Sequence, residues 1–271
     1  MNRQLLGKIA QGCILPVLLL LVWHLASSSG WVKPEKLPPP LAVLQKWFAY
    51  ISPTTAFEGG NWLAWLFSGE LVQDTRRSML RIVLGFAIGA GLALPLGLLM
   101  GTGRRIFLAV NPLVQILRPI PPIAFIPLSI IWFGIGDPPA VFLIALGAFF
   151  PVLLNTVAGV HHVDGIYLRA ARNLGAGGLV MFRRVILPAA MPYILTGIRL
   201  GIGTAFIVVI VAEMVGVQGG LGFRISESRE FYWTDKVIAG MVSIGLIGLL
   251  IDLGMDQLNR HLLRWHRGLE N

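Results

Sequence analysis

The chain has little charge, a single cysteine and no glycine-rich phosphate loop, and each shortage removes a class of protein. Only 13% of its 271 residues are charged and 55% are hydrophobic, whereas a soluble domain carries about 25% charge. So few charges cannot clothe a folded surface in solvated groups, and a mean hydropathy of +0.75 makes a lipid bilayer the natural solvent. Cys13, the one cysteine, excludes a disulfide framework and a cysteine metal cluster. Its place in the first apolar run reads as a free buried thiol. The histidines (His24, His161, His162, His261 and His266) stand without a carboxylate or cysteine at metal-ligand spacing. HExxH, a nucleophile elbow and paired carboxylates are all missing, so no metal site and no catalytic residue is expected. GxxxxGK[ST] is missing too, so any nucleotide would be held by another polypeptide.

What is there is basic and apolar. The net charge is +9, but it forms neither a stripe nor a tail, which argues against nucleic acid. The charges gather between apolar runs, as a membrane topology requires. A spanning helix needs about 20 apolar residues, because a rise of about 1.5 Å per residue must cross roughly 30 Å. Runs at 13–27, 82–101, 108–133, 139–160, 191–215 and 237–251 predict an all-α polytopic membrane protein of about six spans. The first run is short and the third is interrupted. The N-terminus imitates a signal peptide, with Arg3 and Lys8 before an apolar core and Ala26-Ser27-Ser28 after it. Trp23 and His24 are unusual in such a core, so an uncleaved first span is expected.

Between the first two runs, Leu37-Pro38-Pro39-Pro40 must be extended, because proline fixes φ and lacks an amide donor. Leu41, Leu44, Trp47, Phe48 and Ile51 then recur roughly as one helical face. They predict a short amphipathic helix at the membrane surface, with Trp47 at headgroup level. Glycines recur four apart at Gly85/Gly89, Gly97/Gly101 and Gly197/Gly201, a spacing that lets helix backbones approach closely in lipid.

The third run carries Arg118-Pro119-Ile120-Pro121-Pro122. Clustered prolines break the helix and strand carbonyls without partners. Such backbone survives in a membrane only where it is buried in protein or lines a wet cavity. Arg118, Pro121 and Pro122 are therefore candidates for a wall of a translocation path, with a packed kink as the alternative. Asn155, Arg199 and Glu213 join the pathway candidates as polar groups in apolar spans. A structural ion pair is the alternative for the charged ones. Arg199 and Glu213 cannot supply it to each other, because fourteen residues of helix separate them by about 21 Å.

The most informative twenty residues are Arg169 to Pro188, RAARNLGAGGLVMFRRVILP, a four-arginine island between two apolar spans. Ala170, Ala171, three residues, Gly175, nine residues, then Val185-Ile186-Leu187-Pro188 resembles the cytoplasmic loop of ABC importer permeases, E-A-A-x3-G-x9-I-x-L-P. Arg169 replaces the leading glutamate and Val185 the isoleucine. The run from Arg118 to Leu128, Trp132-Phe133-Gly134-Ile135-Gly136, the stretch PVLLNTVAGV from Pro151 and Leu221-Gly222-Phe223 resemble the permeases for taurine, alkanesulfonates, nitrate and bicarbonate. The likeness spans about residues 37 to 265.

The resemblance implies a type I ABC importer permease fold and a non-catalytic subunit of the inner (plasma) membrane. The form RPIPP…IWFGIGD and the loop version RAARNLGA look more like the taurine and sulfonate permeases. Nitrate or bicarbonate import is the alternative within the group, and a secondary transporter or channel without an ATPase is the alternative class. The partners implied are a second copy, an ATP-binding cassette ATPase, an extracytoplasmic solute-binding protein and the bilayer. The chain itself would hold no cofactor, with ATP and Mg on the ATPase. Coupling falls to Ile166, Arg169, Ala170, Ala171, Leu174, Gly175, Leu187 and Pro188, which the resemblance places in a groove of that ATPase. The Lys/Arg bias between the two sides is weak, so orientation rests on this loop facing ATP, with both termini cytoplasmic. The organisation expected is 1–70 as first span and extracytoplasmic segment, 71–265 as permease domain with coupling loop 161–188, and 266–271 as tail.

Overall fold

A computed structural model describes residues 3–30, 32–54 and 59–263. Among them the ordered elements are helices: α1 (Arg3–Ser28), α2 (Pro40–Ile51), α3 (Trp62–Leu66), α4 (Glu70–Thr102), α5 (Arg104–Leu117), α6 (Ile126–Phe133), α7 (Asp137–His161), α8 (Gly165–Asn173), α9 (Gly178–Met181), α10 (Leu187–Gly216), α11 (Leu221–Glu230) and α12 (Thr234–Leu262). A 3-10 turn, Pro122–Phe125, precedes α6, and a π-helical turn, Phe182–Ile186, joins α9 to α10.

Four helical stretches are long and apolar enough to cross a bilayer: Glu70–Thr102, Asp137–His161, Gly178–Gly216 and Thr234–Leu262. Arg104–Leu117 and Pro122–Phe133 make a fifth if taken as one broken span, bent by 82°. The sixth expected span is the weakest. Within α1 the apolar helix Ile14–Ser28 is shorter than the roughly 20 residues a full crossing needs.

The chain divides into two compact units, Met1–Thr75 with Arg224–Gly245, and Arg76–Phe223 with Leu246–Asn271. In the first, Pro40 opens α2 at a position where a missing amide costs nothing. The helical face read from the sequence is largely exposed, with Trp47 and Ile51 half-buried at its edge. Leu41, Leu44 and Phe48 are exposed while Val43 and Tyr50 are buried. Trp47 turns inward, and its indole Nε1 donates to Ser243 Oγ at 2.9 Å. Trp47 is thus half-buried against α12 and does not stand free beside Leu44 and Phe48.

The polar heart of this unit is Asp74, which accepts from Tyr50 Oη at 2.8 Å and from Arg224 Nε at 2.9 Å. Burial first, then the Asp74 charge, pushes the Tyr50 phenol far above its ordinary range, so it stays a neutral donor. Burial works against the Arg224 charge, but the hydrogen bond and charge of Asp74, together with the charges of Glu70 and Glu227, outweigh it. Tyr50→Phe should therefore lower the melting temperature of the purified protein, by an amount equivalent to about 1–3 kcal/mol, since a buried carboxylate loses a donor. An unchanged melting curve would show that this hydrogen bond is dispensable.

The second unit is built around α7, whose buried residues face two neighbours. On one side Gly85, Gly89, Gly97 and Gly101 of α4 lie so close that an added Cβ would strike Ile144, the Ala145 carbonyl, Thr156 and Val160. On the other side Gly197 and Gly201 of α10 meet Asn155 and Val152 in the same way. All three four-residue glycine pairs thus serve one purpose, bringing α4 and α10 onto α7. In lipid such contact is stabilised by dispersion between close backbones, since burying apolar side chains gains little there.

Candidate coupling surface and translocation segments

The arginine-rich island folds as a short helix held at both ends. Asp164 caps α8, its carboxylate accepting from the Ile166 amide at 2.8 Å. At the other end Gly175 takes φ +79°, its amide bonds Arg172 O at 2.9 Å, and the Ala176 amide bonds Ala171 O at 2.9 Å. This pair of bonds is a Schellman stop, which needs a residue in the left-handed region at that position. The helix is solvent-facing and apolar at once. Ile166 is 60% exposed and Leu174 88% exposed, with Ala170 exposed and Ala171 half-buried between them. Arg169, Arg172, Arg183 and Arg184 are exposed or half-buried, and none makes an ion pair with a described residue. An exposed leucine and isoleucine beside guanidinium groups that pair with no described carboxylate form the kind of patch that marks an interaction site.

The island joins α10 through the π turn, where the Leu187 amide bonds Phe182 O. Pro188 supplies the cause. It has no amide to offer Arg184 O, and its ring excludes that carbonyl from the normal position, so the ladder widens by one residue. Leu187 and Pro188, half-buried, then open α10.

The proline-rich segment breaks as expected. Pro121 is extended at φ −65° and ψ 139°, the 3-10 turn follows, and α6 leaves at a steep angle to α5. Arg118 is exposed at the end of α5 and forms no ion pair with a described residue. Pro121 is exposed, and Pro122 is half-buried on the side of Gly147 in α7.

The remaining pathway candidates have partners within the fold. Asn155 Nδ2 donates to Pro151 O of its own helix at 2.8 Å, at the seam with Gly197. Arg199 forks onto Asp252 of α12, with three nitrogen–oxygen distances of 2.8 to 3.0 Å, and reaches Asp256 at 3.9 Å. Glu213 is 1% exposed and accepts from Ser78 Oγ, the Arg81 guanidinium and the Gly222 amide at 2.7 to 2.9 Å. Arg81 also donates to Gly219 O and Asp137. Glu213 thus closes a structural knot tying α4, the start of α7, α10 and the 217–222 loop. Arg199 and Glu213 have separate partners, and of the three charges in apolar runs only Arg118 forms no ion pair with a described residue.

Sequence reasoning missed Arg81, Ser78, Asp137, Asp252 and the Asp164 cap. Arg81 stands immediately before the apolar run 82–101, and a charge in that place was the available sign of a buried partner. Asp164 lies two residues before Ile166, the ordinary N-cap spacing, and could have been read as such.

The chain thus combines long apolar helices, a broken span and a capped loop helix with exposed apolar side chains. Residues 93–267 match the family of binding-protein-dependent transport system inner membrane components, and the chain belongs to it. It is 37% identical to the aliphatic sulfonates transport permease protein SsuC of Bacillus subtilis, over 96% of this chain and 89% of that protein. It is 36% identical to the taurine transport system permease protein TauC of Escherichia coli, over 92% of this chain and 86% of that one. Among solved structures, the inward-facing MetNI methionine ABC transporter has the same fold, with a TM-score of 0.63 and 22% identity over 70% of this chain and 95% of that one.

Proposed function

We propose that this chain is the membrane subunit of an ATP-driven importer of a small oxyanion, taurine or an aliphatic sulfonate. Two copies form the path at their interface, a pair of ATPases binds the α8 loops, and an extracytoplasmic binding protein delivers the substrate. The subunit does no chemistry, and ATP and Mg are held by the ATPase. The observation that carries the reading is α8 itself, capped at both ends yet presenting bare apolar side chains. Closure of the ATPases around ATP draws the loop helices together, and the π turn passes that movement to α10 and the helices seamed to it. Permeases named for sulfonates and taurine match most of the chain, which supports the substrate class. Arg118 adds to that support, because a guanidinium offers paired donors to sulfonate oxygens.

Reconstituted with its ATPase and binding protein in liposomes, the protein should show ATP-dependent uptake of taurine or alkanesulfonates. Uptake of nitrate or bicarbonate in their place would move the substrate, and uptake without ATP would overturn the importer reading. Orientation is tested separately. With Cys13 removed, Gly177→Cys should react with an impermeant thiol reagent only after the membrane is opened, because 161–188 and both termini lie inside on this reading. Labelling in intact cells would reverse the topology and separate α8 from ATP.

A further inference from the structure

The end of α7, α8, the π turn and the first turns of α10 enclose a cleft of about 560 Å³. One wall is α8, with Tyr167, Ala170, Ala171 and Leu174, and the other includes Pro188 and Ala189. At its end the rings of His162 and Tyr193 stack, with centroids 5.0 Å apart. The polar groups around it are unequally committed. The Asp164 carboxylate is spent on the α8 cap and His162 Nδ1 on Ala158 O, but Arg184 makes no ion pair with a described residue.

The cleft is continuous with the coupling surface, because Leu174 belongs both to the exposed strip of α8 and to the cleft lining. Any protein that grips α8 therefore covers its mouth. The apolar walls call for an apolar side chain, and the free guanidinium at the edge, with Arg169, Arg172 and Arg183 on the same island, calls for carboxylates beside it. A lipid chain fits less well, since Arg184, His162 and Asp164 interrupt the apolar track such a chain would follow.

We propose that this cleft is a socket for an apolar side chain of the partner ATPase, flanked by a carboxylate that meets Arg184. The proposal rests on the coupling reading of α8. It adds a second engagement in the reverse direction, with α8 entering the ATPase and the ATPase entering the permease. A load on the socket falls directly on Pro188 and Tyr193 at the root of α10, so force need not travel through α8 alone.

Two single-cysteine variants in a Cys13→Ser background test this: Ile166→Cys, on the exposed strip and outside the cleft lining, and Ala189→Cys inside the cleft. In nanodiscs, both should react with a small maleimide in the permease alone. Both should react at least tenfold more slowly once the purified ATPase is bound. Protection of Ile166→Cys without protection of Ala189→Cys would overturn the socket and leave the coupling surface standing. Protection of neither, with the ATPase bound, would overturn the coupling reading itself. An Ala189→Cys already shielded before the ATPase is added would mean that lipid or the second copy fills the cleft, which also overturns the socket. Arg184→Glu should weaken ATPase binding at least tenfold and flatten its salt dependence. Unchanged affinity would remove the carboxylate from the proposal.

Discussion

Gly175→Val should cut ATP-driven uptake at least tenfold, while Gly175→Asn keeps most of it. The position is unusually clean for such a test. Gly175 sits at φ +79°, and a Cβ added there would meet nothing within 4 Å. No collision can be blamed, and only the backbone conformation is at stake. A left-handed residue costs roughly 1–2 kcal/mol for an L-amino acid, and a β-branched side chain suffers more. Each 1.4 kcal/mol is about tenfold in an equilibrium, so the stop gives way and the chain beyond Leu174 leaves in a new direction. Asparagine tolerates the left-handed region and holds the stop. Uptake and substrate-stimulated ATP hydrolysis in liposomes, normalised to inserted permease, check both variants. Normal coupling in the valine variant would take α8 out of contact with the ATPase.

Arg118→Gln should lower uptake per purified complex by one to two orders of magnitude, with Arg118→Lys between it and the unmodified protein. The guanidinium is exposed at the end of α5, beside a backbone that has left its helix, and no described carboxylate neutralises it. Hydrogen bonds to a charged group contribute about 1.5–3 kcal/mol, which sets the size of the loss. Lysine keeps the charge but not the two parallel donors. If Arg118 instead anchors the fold, Arg118→Gln would reduce the yield of complex and leave normalised uptake intact. Full normalised uptake in the glutamine variant would dismiss the contact.

The contrast between Arg118 and the other two intramembrane charges shows where reading the sequence runs out. Arg118, Arg199 and Glu213 looked alike in one dimension, each a charge in an apolar run. The distance along α10 excluded an Arg199–Glu213 pair, and that inference needed only helix geometry. The actual partners, Asp252 for Arg199 and Arg81 for Glu213, lie 53 and 132 residues away in the chain. No local pattern encodes a pairing of that range, because it depends on which helix faces pack together. Trp47 makes the same point on α2. Its spacing matched Leu41, Leu44 and Phe48, yet it lies at the edge of that face, half-buried, with its indole bonded to a hydroxyl on α12.

What the sequence by itself determined are the properties that local chemistry dictates. Shortage of charge makes this a membrane protein, and clustered prolines break the third span. Glycines four apart mark the helix seams, and a loop motif with a single glycine stop marks the family. Each follows from residues within a few turns of one another, where backbone sterics and solvation act directly. Only the tertiary structure decided which charges stay open, that α7 is the helix both glycine seams share, and that a cleft lies behind α8. Those features depend on long-range packing, in which a buried charge must find its counter-ion wherever the fold brings one. In this protein Glu213 found Arg81, Arg199 found Asp252, and Arg118 was left facing outward.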